Sequence, residues 1–260
     1  MKGIICAGGS GERLWPITKG INKHIIPIGD KPMIMHPLEK LSEAGIKNIC
    51  VVSGPESLGA IIVFLGNGND FGVNITYKVQ PTPNGIAGAV ATAEDFINGD
   101  SMVIILGDNI FQNSIKAQVT EYSKNPIGAR IFLKEVEDPE RFGIAELHRD
   151  KVVSIIEKPK IPKSNLCVTG IYFYDSSVFD IIRGLKPSDR TELEISDVNL
   201  EYIKRGQLSH YVLDGWWLDA GTFETLQAAV RLVCQLPASK ETGMCAQDAY
   251  RKSCLGGSEK

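Results

Sequence analysis

The sequence predicts an α/β fold: a mostly parallel central sheet flanked by helices, with an additional small β-rich part. Three observations carry that prediction. Apolar runs at residues 4–6, 48–53 and 102–106 are continuous rather than alternating, as in strands buried on both faces. Segments with helical spacing fall between them, and strand–helix alternation implies parallel pairing through crossovers. The second half of the chain then changes to closely spaced strand-like runs, from residue 128 onward.

The elements follow in order. Residues 4–6 begin the sheet and break into Ala7-Gly8-Gly9-Ser10-Gly11, then Arg13. Residues 32–45 repeat Met33, Leu38, Leu41 and Ala44 near helical spacing, and Gly45 is a natural stop. A second buried strand at 48–53 precedes a helix at 55–65 and a glycine- and asparagine-rich loop at 66–70. Residues 74–80 alternate as a strand, 81–85 form a turn cluster, and 86–96 form a helix rich in small residues. The third apolar run, 102–106, ends in Gly107-Asp108-Asn109. Strands are expected at 128–136, 143–148 and 151–157, with a hairpin turn near Arg149-Asp150, and again at 167–174 and 209–213. Helices are expected at 194–204 and 223–235. In such sheets ligands bind beyond the carboxyl ends of the strands, so the first loop, Gln80 and Asp108 should open on one side.

One domain is expected over residues 1–236, in two parts that divide at about residue 125, where the pattern changes. Residues 237–260 read as a polar tail. The net charge is −3 with no basic run, which gives no support for nucleic-acid binding. Cations focused in one cleft would still admit a small polyanion. No apolar stretch approaches the roughly 18 residues of a membrane span, and the N-terminal apolar run is too short for a signal peptide. The six cysteines form no Cys-x-x-Cys pair, and Cys6, Cys50 and Cys167 sit in apolar runs as buried thiols. A reducing cytoplasm fits these features.

Four motifs carry chemistry, each beside a plainer reading. The glycine loop is either a structural turn or a phosphate cradle, and Arg13 and Lys23 favour the cradle because both suit phosphate oxygens. It is neither a P-loop nor a dinucleotide fingerprint, since Leu14 stands where the third glycine belongs. Asp108 is either a turn aspartate or a Mg²⁺ ligand. Asp219, set between Trp216-Trp217-Leu218 and Ala220-Gly221-Thr222, offers a second carboxylate where a charge needs a reason. Glu157-Lys158-Pro159 is either a solvated pair or a strand end whose proline gives Lys158 a defined direction. Gly143 relieves crowding or admits a ligand, and Thr169-Gly170 interrupts a β pattern in the way a close approach does. The four histidines make no triad or zinc set.

Taken in one order, these pieces resemble a known family. They are Ala7 to Leu14; Lys23 with 25–34; Gln80-Pro81-Thr82-Pro83-Asn84-Gly85; Leu106-Gly107-Asp108-Asn109; and Asp138-Pro139-Glu140-Arg141-Phe142-Gly143. Glu157-Lys158-Pro159, 168–174, Leu193-Glu194-Ile195-Ser196-Asp197-Val198-Asn199 and Trp217-Leu218-Asp219-Ala220-Gly221-Thr222 complete the set. Over about residues 1–236 the chain resembles the sugar-nucleotide pyrophosphorylases, and within them a short form of those using dTTP and glucose 1-phosphate at the entry to dTDP-rhamnose synthesis. The resemblance implies a Rossmann-like nucleotidyltransferase fold, with a nucleotide-binding part at about 1–125 and a sugar-phosphate-binding part at about 126–236, Mg²⁺ as cofactor and a homotetramer.

Position by position, it implies that Gly8, Gly9, Ser10 and Gly11 wrap the triphosphate and Arg13 and Lys23 hold its phosphates. Gln80 and Gly85 would bind the pyrimidine, and Asp108 and Asp219 the Mg²⁺. Asn109, Gly143, Glu157 and Thr169 would hold the sugar, and Lys158 its phosphate. Arg13, Lys23 and Lys158 would be the catalytic cations. The chain departs from the family pattern at His24, at Ile156 and over 57–62. It is also without the longer helical C-terminal extension that contributes a regulatory nucleotide site in many bacterial relatives, so the resemblance carries no expectation of such a site. The implied reaction is attack of the sugar 1-phosphate oxygen on the α-phosphorus of the triphosphate, with pyrophosphate leaving. A phosphate nucleophile is already ionised, so positioning and charge stabilisation are the main needs. The alternatives are a UTP-dependent uridylyltransferase, a non-catalytic nucleotide-sugar-binding regulator and a nicotinamide-dependent oxidoreductase.

Overall fold

In the computed structural model, which describes residues 1–235, β1 (Lys2–Cys6) runs through the interior of a nine-stranded sheet. The chain continues through a small hairpin, β2 (Pro27–Ile28) and β3 (Lys31–Pro32), then α1 (Met35–Glu43), β4 (Asn48–Ser53) and α2 (Pro55–Leu65). Next come β5 (Asn74–Val79), α3 (Ile86–Thr92), α4 (Glu94–Ile97) and β6 (Met102–Leu106). β6, β1, β4 and β5 lie side by side and all parallel.

This parallel block explains the continuous apolar runs. Ile4, Cys50, Val52 and Ile104 pack on one face with α3, while Ile5, Val51, Val103 and Ile105 pack on the other with α1. The helix expected over 32–45 begins at Met35, because Lys31–Pro32 pairs with Pro27–Ile28 instead. The helix expected over 86–96 breaks at Ala93, whose φ of −96° and ψ of 8° lie outside the helical range.

The second half adds β7 (Asn109–Phe111), α5 (Lys116–Lys124), β8 (Ala129–Glu135), β9 (Gly143–His148) and β10 (Lys151–Glu157). It ends with β11 (Leu166–Tyr174), α6 (Val178–Gly184), α7 (Ile195–Lys204), β12 (Leu208–Val212), β13 (Trp217–Asp219) and α8 (Phe223–Gln235). β11 pairs antiparallel with β6 and joins the two halves into one sheet. Between Val168 and Tyr172 it bulges against β8, and Cys167 reaches Ile144 of β9, so the sheet forks there. The β9–β10 turn at Arg149 and Asp150 has both residues at positive φ, 47° and 63°, as a tight hairpin requires. β7 and β13 make their own two-stranded ribbon, which packs with β2 and α8 around Ile28, Met33, Ile110, Ala220 and Ala229. The tail expected at 237–260 lies outside the described residues. Among those described, no helix is long and apolar enough to cross a membrane.

Candidate active site

The loops beyond β1, β5 and β6 open on one cleft of about 330 Å³, closed on its far side by β9, β10, β11 and the start of α7. At its centre stand two carboxylates that 110 residues of chain would otherwise keep apart. The β7–β13 ribbon pairs Asn109 with Asp219, and Ala220 N–H donates to Asp108 O at 2.9 Å. Asp108 follows β6 directly, so the ribbon hangs Asp219 beside it.

The two carboxylates differ in environment. Lys23 Nζ donates to Asp108 Oδ2 at 2.5 Å, and Asn109 Nδ2 donates to Oδ1 at 3.0 Å. Burial opposes the charge on Asp108, but Lys23 and these hydrogen bonds outweigh it and hold the carboxyl well below the usual range. Asp219 is pushed up to about 6 by burial and by the Asp108 charge. Its Oδ2 lies 3.7 Å from Arg13, while its Oδ1 is buried without a hydrogen-bond partner. A buried, unpartnered oxygen on a carboxylate that feels the charge of a second carboxylate is a place for a cation. Among the described residues there is no cluster of three or more His, Cys, Asp or Glu around one point. Two carboxylates suit Mg²⁺, which takes one or two and completes its shell with water and phosphate oxygens.

Asn109 holds this centre together. Its Oδ1 accepts from Trp217 Nε1 at 2.7 Å and from Gly170 N at 2.9 Å, while its Nδ2 reaches Asp108. With 1% exposure its polar atoms are engaged by protein. His24, also buried, is pulled down to about 3 by burial and by Lys23, so it stays neutral, with Nδ1 2.8 Å from Asn22 Oδ1.

On the β1 side, Gly8, Gly9 and Arg13 line the cleft. Ser10 and Gly11 lie outside the lining; the Ser10 hydroxyl donates to Glu12 at 3.3 Å. Gln80 Nε2 donates to Asn84 Oδ1 at 2.7 Å and to Gly85 O at 3.1 Å. Gly85 has φ +93°, and a Cβ there would meet Leu193 O at 2.6 Å, so the turn tolerates no side chain. Leu193 N–H in turn donates to Asn84 O at 2.8 Å, closing the turn against the segment that leads into α7.

On the far side, Glu157 Oε2 accepts from Ser196 Oγ at 2.6 Å. A Cβ at Gly143 would lie 3.1 Å from that same oxygen, so the glycine keeps the carboxylate accessible. Lys158 sits at φ +44°, a strained conformation for a side-chain-bearing residue, with its N–H donating to Phe142 O at 2.9 Å. Its Nζ is 3.7 Å from Glu157 and half exposed to the cleft. Thr169 does not reach the cleft: it is fully buried, and its hydroxyl donates to Phe132 O at 3.0 Å. Its strand neighbours Val168 and Gly170 line the cleft instead, because alternate residues of β11 face opposite sides.

Two further cations enter the lining that sequence reasoning left unassigned. Arg190 grips Glu194 through Nε and Nη2 at 3.2 and 2.8 Å and lies 3.6 Å from Glu157. Arg141 pairs with Asp138 through one nitrogen while its Nη2 is buried without a partner. The signal for Arg141 was its place two residues before Gly143 in the Asp138-to-Gly143 motif. Arg190 had none, since it lies in an irregular segment. The cleft thus gathers five cations: Arg13 and Lys23 lie against the carboxylate pair, Arg141 is near enough to Asp219 to act on its charge, and Lys158 and Arg190 lie 3.7 and 3.6 Å from Glu157. It can gather two anions and screen their repulsion.

Comparison with known proteins agrees with that chemistry. The family model described as Nucleotidyl transferase matches residues 2–235. The chain is similar to the glucose-1-phosphate thymidylyltransferase of Neisseria meningitidis, 47% identical over 237 residues, which is 90% of this chain and 82% of that one. Its fold is similar to a crystal structure from Bacillus anthracis, described as a candidate glucose-1-phosphate thymidylyltransferase in complex with sucrose. The TM-score is 0.88 at 50% identity, covering 92% of this chain and 98% of that one. A UDP-glucose pyrophosphorylase complexed with UDP-glucose matches with TM-score 0.81 at 25% identity, covering 90% of this chain and 98% of that one.

Proposed function

The chain belongs to the nucleotidyl transferase family, and on that premise we propose that it is a glucose-1-phosphate thymidylyltransferase. It converts dTTP and α-D-glucose 1-phosphate into dTDP-glucose and pyrophosphate. One observation carries the reading: a single cleft holds a buried carboxylate pair with Arg13 and Lys23 against it and a second group of cations, Lys158 and Arg190, around Glu157.

The geometry supports the following division of labour. Gly8, Gly9, Arg13 and Lys23 receive the triphosphate, with Ser10 and Gly11 shaping the loop that leads to Arg13. Gln80 and Gly85 face the pyrimidine, where backbone and amide groups are fixed by Asn84 and Leu193. Glu157 and Gly143 form the sugar side with the backbone around Asn109 and Thr169, and Lys158 holds the sugar phosphate. Asp108 and Asp219 would hold Mg²⁺, and the unpartnered Oδ1 of Asp219 fits that role. When bound, the ion neutralises phosphate charge and aligns phosphate oxygens. The sugar phosphate oxygen then attacks the α-phosphorus in line with departing pyrophosphate. Arg13 and Lys23 stabilise the charge that leaves, while Lys158 orients the nucleophile. No general base is needed.

The product is an activated sugar for dTDP-sugar synthesis, dTDP-L-rhamnose among its uses. The enzyme works in the cytoplasm as a homotetramer, which light scattering on the purified chain would check. The deciding experiment is pyrophosphate release over a matrix of triphosphates and sugar 1-phosphates. Preference for dTTP with glucose 1-phosphate is expected. Preference for UTP would make the chain a uridylyltransferase, and silence across the matrix with Mg²⁺ would refute the reading.

A further inference from the structure

α7 turns Ile195, Ser196 and Asn199 toward the cleft at helical spacing. Ser196 is engaged by Glu157. Asn199 is engaged at one end only. It is 1% exposed, and its Oδ1 accepts from the Tyr174 hydroxyl at 2.6 Å. Its Nδ2 is buried with no partner among the described residues.

The amide is held in that orientation from behind. The Tyr174 ring stacks on Tyr172 with centroids 5.9 Å apart and 9° between planes, and on Tyr202 at 5.5 Å and 10°. The Tyr202 hydroxyl donates to Asp175 Oδ1 at 2.8 Å. A stack of three tyrosines, anchored at its far end, therefore fixes the acceptor of Asn199 and leaves the donor over.

A buried amide donor without a partner is unfavourable for folding. The Tyr174 hydroxyl donates to Oδ1, and no protein group among the described residues accepts from the opposite N–H. Tyr172, at the near end of the stack, lines the cleft together with Glu157 and Ser196. The free donor thus belongs to the wall of the sugar half, where the entering group carries several hydroxyls able to accept.

We infer that Asn199 is a specificity-determining residue whose Nδ2 donates to a ring hydroxyl of the sugar 1-phosphate. This rests on the reading of the cleft as a hexose 1-phosphate site. A site built to hydrogen-bond a hydroxyl rejects the analogue that lacks it, because the protein group is then stranded.

The test uses pyrophosphate release by the full chain with dTTP and Mg²⁺. Glucose 1-phosphate is compared with its 2-, 3-, 4- and 6-deoxy analogues, in wild type and Asn199→Ala. In wild type, one analogue should lose at least about tenfold in kcat/KM, and that penalty should largely vanish in the variant while the others persist. Should Asn199→Ala fail to fold with the Tyr174 hydroxyl stranded, Asn199→Leu with Tyr174→Phe removes both polar partners together and carries the same comparison. A purely structural Asn199 would lower the melting temperature and leave every deoxy penalty unchanged. Equal penalties in wild type and variant overturn the inference and leave the reaction standing. No turnover of any hexose 1-phosphate by wild type overturns both.

Discussion

Replacing Asn109 by alanine tests whether one buried amide holds the catalytic centre together. The side chain makes three hydrogen bonds, to Asp108 Oδ1, Gly170 N and Trp217 Nε1, and is 1% exposed. Truncation strands two buried donors, the Gly170 N–H and the Trp217 indole N–H. Each stranded buried group costs about 1–3 kcal/mol, so the variant should lose about 2–6 kcal/mol of stability. That is a large share of the roughly 5–15 kcal/mol that holds a typical domain. The bonds also tie β11 to the β7–β13 ribbon that carries Asp219, so pyrophosphate release should fall even at temperatures where the variant is folded. Asn109→Asp separates the two effects. It keeps an acceptor for both donors and sets a second negative charge against Asp108. Urea unfolding should then show a smaller loss than for alanine, while activity remains low. A loss below about 1 kcal/mol in Asn109→Ala, or full activity in Asn109→Asp, would refute the reasoning.

Three other outcomes are expected. Lys158→Ala should raise the KM for glucose 1-phosphate by about 10- to 100-fold, the worth of a charge-assisted hydrogen bond, and change that for dTTP little, whereas Arg13→Ala should abolish turnover; equal loss for both substrates in Lys158→Ala would contradict the assignment. Burial and Lys31 pull His36 from 6.5 down to about 4, with Nε2 3.1 Å from Ile28 O. Because the folded value lies below the unfolded one, its contribution is complete above pH 6.5 and lost as pH falls toward 4, about 3 kcal/mol at 1.36 kcal/mol per unit. Urea unfolding at pH 7.5 and 4.5 should show a smaller drop for His36→Gln than for wild type, and identical drops would count against it. Since Asp219 is raised to about 6 by burial and Asp108, it takes up a proton below that value and stops serving a cation. The Mg²⁺ midpoint for activity should rise as pH falls from 7.5 to 5.5, and Asp219→Asn should need more Mg²⁺ throughout; an unchanged wild-type midpoint would remove Asp219 as a ligand.

Much of the scaffold was legible in the chain. The apolar runs of β1, β4 and β6 are continuous because both faces are covered, and that pattern survives in one dimension. The β9–β10 turn and α7 were likewise legible from local chemistry. Shorter pieces were not. β2, β3, β7 and β13 have two or three residues each, too few to show a period, and α5 buries only Val119 and Tyr122. Among site residues, Thr169 shows the limit most clearly. Its place beside Gly170 was readable, but which face of β11 turns to the cleft was not; the strand's placement sends the Thr169 hydroxyl to Phe132 and gives Val168 and Gly170 to the cleft.

By itself the sequence determined the sheet's parallel half, the loops at its carboxyl edge and the cations and carboxylates those loops and strand ends carry. These follow from local period, glycine placement and residue type. Tertiary structure alone decided which atoms of those residues are free. Asn109 and Trp217 meet across 108 residues, Lys23 and Asp108 across 85, and Tyr174 takes one end of Asn199 across 25. A free oxygen on Asp219 or a free N–H on Asn199 is defined by the partners that are absent around it, and such an absence exists only once the chain has been brought together.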